Sequence, residues 1–100
     1  MQVDLSTRFF DYKGKPIMSG DRQTTMRDVI CEALVNVVKP DDSADWKLRA
    51  WSIASGLWQE KSSTVGLSVE DVAAIKERIG LAFGPAIVGQ AFSAIDGPGK

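Results

Sequence analysis

Between Met26 and Val37 the apolar residues Met26, Val29, Ile30, Ala33, Leu34 and Val37 recur at intervals of three and four. That spacing places them on one face of an α-helix and is incompatible with a strand, whose faces alternate every two residues. The pattern is also bounded. Thr25 with Asp28 three residues on reads as a capping-box start, and Pro40 cannot continue a helix.

Two further stretches follow the same logic. Asp42 or Ser43 caps a second helix reaching about Glu60, and its apolar residues fall on two adjoining faces. One face holds Trp46, Ala50, Ile53 and Leu57; the other holds Leu48, Trp51 and Trp58. A helix apolar over so wide an arc is either central or offers a second face to a partner. Ser68 caps a third helix, with Asp71 returning the bond, Leu67 stapling onto Val72, and a stripe of Val69, Val72, Ile75, Ile79 and Phe83. Gly84-Pro85 then stops one helix and starts the next, which buries Ile87, Val88, Ala91, Phe92 and Ile95. These last two helices are expected to form a tight helical hairpin, with Gly80, Gly84 and Gly89 allowing close backbone approach.

The first twenty residues read differently. Val3 and Leu5 alternate with polar residues, Phe9, Phe10 and Tyr12 favour strand, and Lys13-Gly14 supplies a turn before Lys15-Pro16-Ile17-Met18. The expectation is a β-hairpin whose return is an edge, since Pro16 has no N–H to donate. A lone hairpin is marginal and must pack on the helices. The fold class is therefore α+β, mainly α: one domain over residues 1–95, with the hairpin over 1–20, about four helices over 25–95, and a flexible tail over 96–100.

A chain of 100 residues holds one core. Its charge is balanced, with 12 basic and 13 acidic residues and a net charge of −1, and neither sign is concentrated along the sequence. Nucleic-acid binding rests on concentrated positive charge, so direct binding to DNA or RNA is not expected. The single cysteine, Cys31, allows no internal disulfide and fits a reducing compartment. Met1 to Phe10 lacks the apolar run of a signal peptide, and no stretch approaches the roughly 18 apolar residues of a membrane span. The expected location is the cytoplasm, with no membrane attachment.

Chemistry is limited by what is missing. There is no histidine, which removes the commonest general base and the commonest metal ligand together. Cys31 has no imidazole to activate it and reads as a half-buried structural thiol. Asp41, Asp42 and Asp45 cluster where the second helix starts. A hard cation would suit them, but acids there also oppose the helix dipole and cap amides, and the second reading is preferred. Glu70 and Asp71 are read the same way. Gly14-Lys15 lacks the rest of a phosphate loop, and Gly80, Gly84 and Gly89 follow no strand as a dinucleotide fingerprint requires. No enzymatic activity, no cofactor and no metal are expected.

The positive signal is aromatic. Trp46, Trp51 and Trp58 share one helix, and tryptophan is enriched at interface hot spots. Trp46 and Trp51 lie roughly 140° apart around the helix, so all three cannot face one neighbour. Trp46, Trp51 and Trp58, with Arg49 among them, are the candidate protein-binding residues.

The stretches Asp11-Tyr12-Lys13-Gly14-Lys15-Pro16-Ile17 and Arg27-Asp28-Val29-Ile30-Cys31-Glu32-Ala33-Leu34, Leu67 through Lys76, and Ile79 through Gln90 resemble small proteins encoded by tailed bacteriophages and prophages. The resemblance spans most of the chain outside the second helix. It implies a phage setting and assigns no residue a role. Three functions follow in order. The first is a non-enzymatic protein that binds and inhibits or redirects a host protein, such as a defence-system component. The second is a structural or assembly accessory, like a tail-assembly chaperone or a self-assembling ring, which would make the chain a homo-oligomer. The third is a protein that sequesters nucleotide signals, needing Lys47 or Arg49 near a tryptophan. A hydrolase built on Asp41, Asp42 and Asp45 ranks last.

Overall fold

A computed structural model describes residues 1–96 of the chain. The capping logic holds at the first helix, α1 (Met26–Asn36). The Asp28 carboxylate accepts from the Thr25 backbone N–H at 3.0 Å and from its hydroxyl at 3.1 Å. Two other free amides of the first turn are met by the N-terminal segment, since Met26 N–H donates to the Thr7 carbonyl at 2.8 Å and Arg27 N–H to Leu5 at 3.2 Å. A helix start is thereby docked onto the N-terminal segment without burying these donors unpaired.

That segment includes strand β1 (Gln2–Asp4), which pairs antiparallel with β4 (Thr64–Gly66), Val3 opposite Val65. The pairing differs from the expected outgoing arm of a local hairpin. Thr64–Gly66 carries too short an alternating pattern to be read as a strand, and the partner of β1 lies sixty or more residues away. The turn at Lys13-Gly14 does form: Gly14 has φ +83°, Asp11 N–H donates to the Lys15 carbonyl at 2.8 Å, and Phe10 bridges Pro16. Beyond it a second turn at Gly20 (φ +68°) joins β2 (Met18–Ser19) to β3 (Arg22–Gln23). Both glycines occupy the left-handed region that side chains resist. The edge at Phe10 is closed by a side chain, because the Gln90 amide accepts from Phe10 N–H at 3.0 Å and donates to its carbonyl at 2.6 Å.

Helix α2 (Ala44–Gln59) starts at Ser43, whose hydroxyl accepts from Trp46 N–H at 3.0 Å. Its buried residues Ala50, Ala54 and Leu57 lie on the first of its two apolar faces, and α1 packs between this helix and α3 (Val69–Ala82). At α3, Ser68 caps Asp71 N–H at 3.1 Å. The expected return bond is replaced, because the Asp71 carboxylate pairs with Arg49 of α2. The buried stripe is Val72, Ile75, Arg78 and Ile79, while Val69, at the first helical position, lies past the packed face and is 66% exposed. An arginine thus stands among the core positions of α3.

Helix α4 (Pro85–Asp96) follows α3 across Phe83-Gly84 to form the helical hairpin, with Lys76 of α3 bonded to Asp96 at 2.8 Å and placed 4.8 Å over the Phe92 ring. The glycines of these two helices and the break between them act otherwise than expected. A Cβ added at Gly80, Gly84 or Gly89 would meet nothing within 4 Å, so they are not sites of close backbone approach. Asp96 closes α4, and the rest of the expected tail, 97–100, lies outside the described residues. Val3, Leu5, Phe9, Met26, Ile30, Ile75 and Ile79 lead the core. No described helix is long and apolar enough to cross a membrane.

Phe9 is 0% exposed, and truncating a core aromatic costs about 3–5 kcal/mol. Phe9→Ala is expected to lose that much in urea unfolding followed by tryptophan fluorescence. Val69→Ala is expected to stay within about 0.5 kcal/mol of wild type, as surface substitutions do.

Candidate functional site

Helix α2 divides its aromatics as its two faces require. Trp46, on the face toward the core, is half-buried and stacks on the guanidinium of Arg78, 4.7 Å from its ring centroid. Leu48, Trp51 and Trp58 make up the other face and are 70%, 61% and 58% exposed. Trp51 and Trp58 are seven residues apart and so lie on the same side of α2, two turns apart.

Where α2 packs on α1, that side opens into a cleft made of two grooves. One, of about 240 Å³, is bounded by Val35, Val38, Trp46, Lys47 and Trp51; the other, of about 340 Å³, by Cys31, Val35, Trp51, Ser55 and Trp58. The two share Val35 and Trp51 and so adjoin along α2, the pair of grooves reaching from Trp46 to Trp58. Twelve residues at about 1.5 Å each make it roughly 18 Å long. Val35 and Val38 on the α1 side are themselves 46% and 63% exposed. The strip is apolar on both walls, valines facing indoles, and so differs from the singly scattered apolar exposure common to all proteins.

The charges around the cleft are uneven. Asp42 reaches its floor, but that carboxylate belongs to Arg78: Nη1 and Nη2 each donate to it at 2.6 Å, with both side chains 5% exposed. Arg78 Nη1 also donates to the Val37 carbonyl at 3.3 Å, and the Asp42 carboxylate accepts from Lys39 N–H at 2.8 Å. Lys47 lines the first groove and makes no ion pair among the described residues. The lining therefore carries one uncompensated positive charge and no uncompensated negative one.

Of the residues expected to bind protein, the fold brings Trp46, Trp51 and Trp58 together along these grooves and leaves Arg49 out. Arg49 lines neither groove, and its Nε and Nη2 are bonded to Asp71 of α3 at 3.0 and 2.5 Å. Val35 and Val38 are lining residues that the sequence pattern did not single out, and Lys47, expected only beside a nucleotide, lines the first groove. The signal of the valines in sequence was faint: two residues one turn apart on the far side of an otherwise regular stripe. The acids at the start of α2 do not converge either. Asp42 turns to Arg78 while Asp41 and Asp45 stay exposed, and the described residues contain no group of three metal-ligating side chains.

Cys31 lies in the second groove with its thiol donating to the Ala54 carbonyl at 3.4 Å. Burial, helped by the nearby charge of Asp28, pushes the thiol up to about 11. Comparison with protein-family models, curated proteins and solved structures yields no match for this chain.

Two outcomes follow from these groups. The hydrogen bonds from Arg78 outweigh burial and hold the Asp42 carboxyl well below its ordinary 3.8. A depressed folded-state pKa adds stability above the unfolded value and loses it as the pH falls through the folded one. Wild-type protein is expected to weaken in urea below about pH 4, whereas Asp42→Asn, weaker at pH 7, loses less over the same acid range. For Cys31, a rise from 9.0 to about 11 lowers the thiolate fraction about a hundredfold. Its reaction with a disulfide reagent at pH 8 is expected to be roughly tenfold slower than that of an unstructured cysteine peptide, because the greater nucleophilicity of a more basic thiolate offsets part of the loss.

Proposed function

We propose that the protein is a non-enzymatic binding protein that seats an amphipathic helix of a partner protein in the α1/α2 cleft. The observation that carries this reading is the pair of adjoining apolar grooves, with Trp51 and Trp58 exposed along one side of α2 and Val35 and Val38 along the opposite wall. Their combined length, roughly 18 Å, accommodates about three turns of a docked helix, whose anchors would recur at i, i+3 or i+4, and i+7. Exposed tryptophans suit hot spots, since each brings a large, rigid apolar area into contact at small entropic cost. The free ammonium of Lys47 at the Trp46 end favours an acidic residue at the matching end of the partner helix.

Catalysis has little to draw on. The chain has no histidine, its thiol is protonated at neutral pH, and the carboxylates of Asp28, Asp42 and Asp71 are each engaged by arginine. The sequence resemblance to small phage proteins supplies a setting in which such a chain binds a bacterial host protein and inhibits or redirects it.

Selection of the purified chain against a displayed library of helical peptides tests the reading. Enriched peptides are expected to carry apolar residues at helical spacing and an acidic residue at one end. Trp51→Ala and Trp58→Ala are expected to unfold at the wild-type urea midpoint yet bind the selected peptide at least tenfold more weakly, about 1.4 kcal/mol or more. Undiminished binding by both variants overturns the reading. So does light scattering that shows a stable dimer dispersed by Trp51→Ala, because the cleft would then serve a second copy of the chain.

A further inference from the structure

Trp58 also lines a pocket of different character. It measures about 500 Å³ and is lined by Arg22, Arg27 and Lys61 together with Trp58, Ser6 and Ser63. The cleft is apolar; this pocket is cationic. Its size falls within the range of small-molecule sites, about 300–1,000 Å³.

The charge there is largely uncompensated. Arg22 is balanced by Asp28, and its guanidinium lies 5.7 Å over the Trp58 ring. Arg27 is held only by neutral acceptors: its Nη2 donates to the carbonyls of Glu60 at 2.7 Å and Ser62 at 3.2 Å, and its Nε is buried with no hydrogen-bond partner. Those carbonyls fix the guanidinium without neutralising it. Lys61 makes no ion pair among the described residues and is exposed at the pocket mouth. The balanced composition of the chain as a whole hides this local excess, because Arg22, Arg27 and Lys61 come from three separate segments.

We propose that this pocket binds a nucleoside monophosphate, its phosphate between Arg27 and Lys61 and its base on the exposed part of the Trp58 ring. Arginine and lysine together recognise phosphate by charge-assisted hydrogen bonds, and an aromatic face accepts any base by stacking. A lone carboxylate from a peptide would satisfy the charge but leave most of the volume and the indole uncovered. The third function expected from sequence required a lysine or arginine near a tryptophan. The fold assembles that arrangement at Trp58 and not at Lys47 or Arg49, since Arg49 is spent on Asp71. The inference stands apart from the peptide cleft and rests on different side chains, Trp58 excepted.

Titration of the full chain with AMP and GMP, read by calorimetry and tryptophan fluorescence, is the test, with ribose 5-phosphate and inorganic phosphate as the arms that lack a base. Saturable binding and quenching by the nucleotides is expected, with inorganic phosphate at least about fivefold weaker, as base stacking on an aromatic implies. Lys61→Glu is expected to weaken nucleotide binding tenfold or more while leaving the urea midpoint unchanged, whereas Lys13→Glu, the same charge change outside the pocket, leaves binding unaltered. No saturable binding of either nucleotide, equal affinity for inorganic phosphate, or full binding by Lys61→Glu each overturns the proposal. Because Lys61 and Arg27 take no part in the peptide cleft, failure here leaves the cleft reading intact, and failure there leaves this one.

Discussion

Arg78 is the point at which the helices are fastened. Its guanidinium meets the Asp42 carboxylate with two bonds of 2.6 Å, reaches the Val37 carbonyl at the end of α1, and supports the Trp46 ring of α2. One side chain of α3 therefore contacts the end of α1, the loop that follows, and the first turn of α2. A charge pair this buried adds little net stability over an apolar filling, but a missing partner leaves a buried charge exposed to a low dielectric. Its effect is to fix one arrangement. The loop from Val37 to Ser43 cannot slide along α3 without breaking paired, directional bonds, and the angle at which α2 leaves α1 is set there.

That angle opens the cleft. With Ala50, Ala54 and Leu57 packed inward, the geometry of a 3.6-residue turn obliges Trp51 and Trp58 to point away from the core. Nothing on α1 rises to cover them, since the residues opposite are valines and Cys31. Small side chains on one wall and indoles on the other leave a trough.

Trp58 lines two environments of opposite chemistry. One is mostly apolar, with Val35, Trp51 and Ala54; the other holds Arg22, Arg27 and Lys61. The division arises because Trp58 lies near the end of α2, where the chain turns through Glu60 and Ser62 toward β4. Those turn carbonyls are what Arg27 binds. Pairing of β4 with β1 then brings Leu5 and Ser63 together, the N–H of Leu5 donating to the Ser63 carbonyl at 2.6 Å. The cationic pocket is thus a product of the long-range strand pairing.

Local signals in the chain were enough to specify what depends on neighbours in sequence. The helix starts at Thr25, Ser43 and Ser68, the turn at Gly14, the break at Gly84-Pro85 and the two apolar faces of α2 all rest on interactions within a few residues, and they are as the spacing implies. What lay beyond it involves partners far apart in the chain. The β1–β4 pairing, the buried Arg78–Asp42 pair, the diversion of Asp71 and Arg49 to each other, and the gathering of three basic residues at Trp58 are each closed by residues more than twenty positions apart. Periodicity reports which way a side chain points relative to its own helix axis. It carries no information about which distant charge or strand occupies that direction, and only packing of the assembled elements decides it.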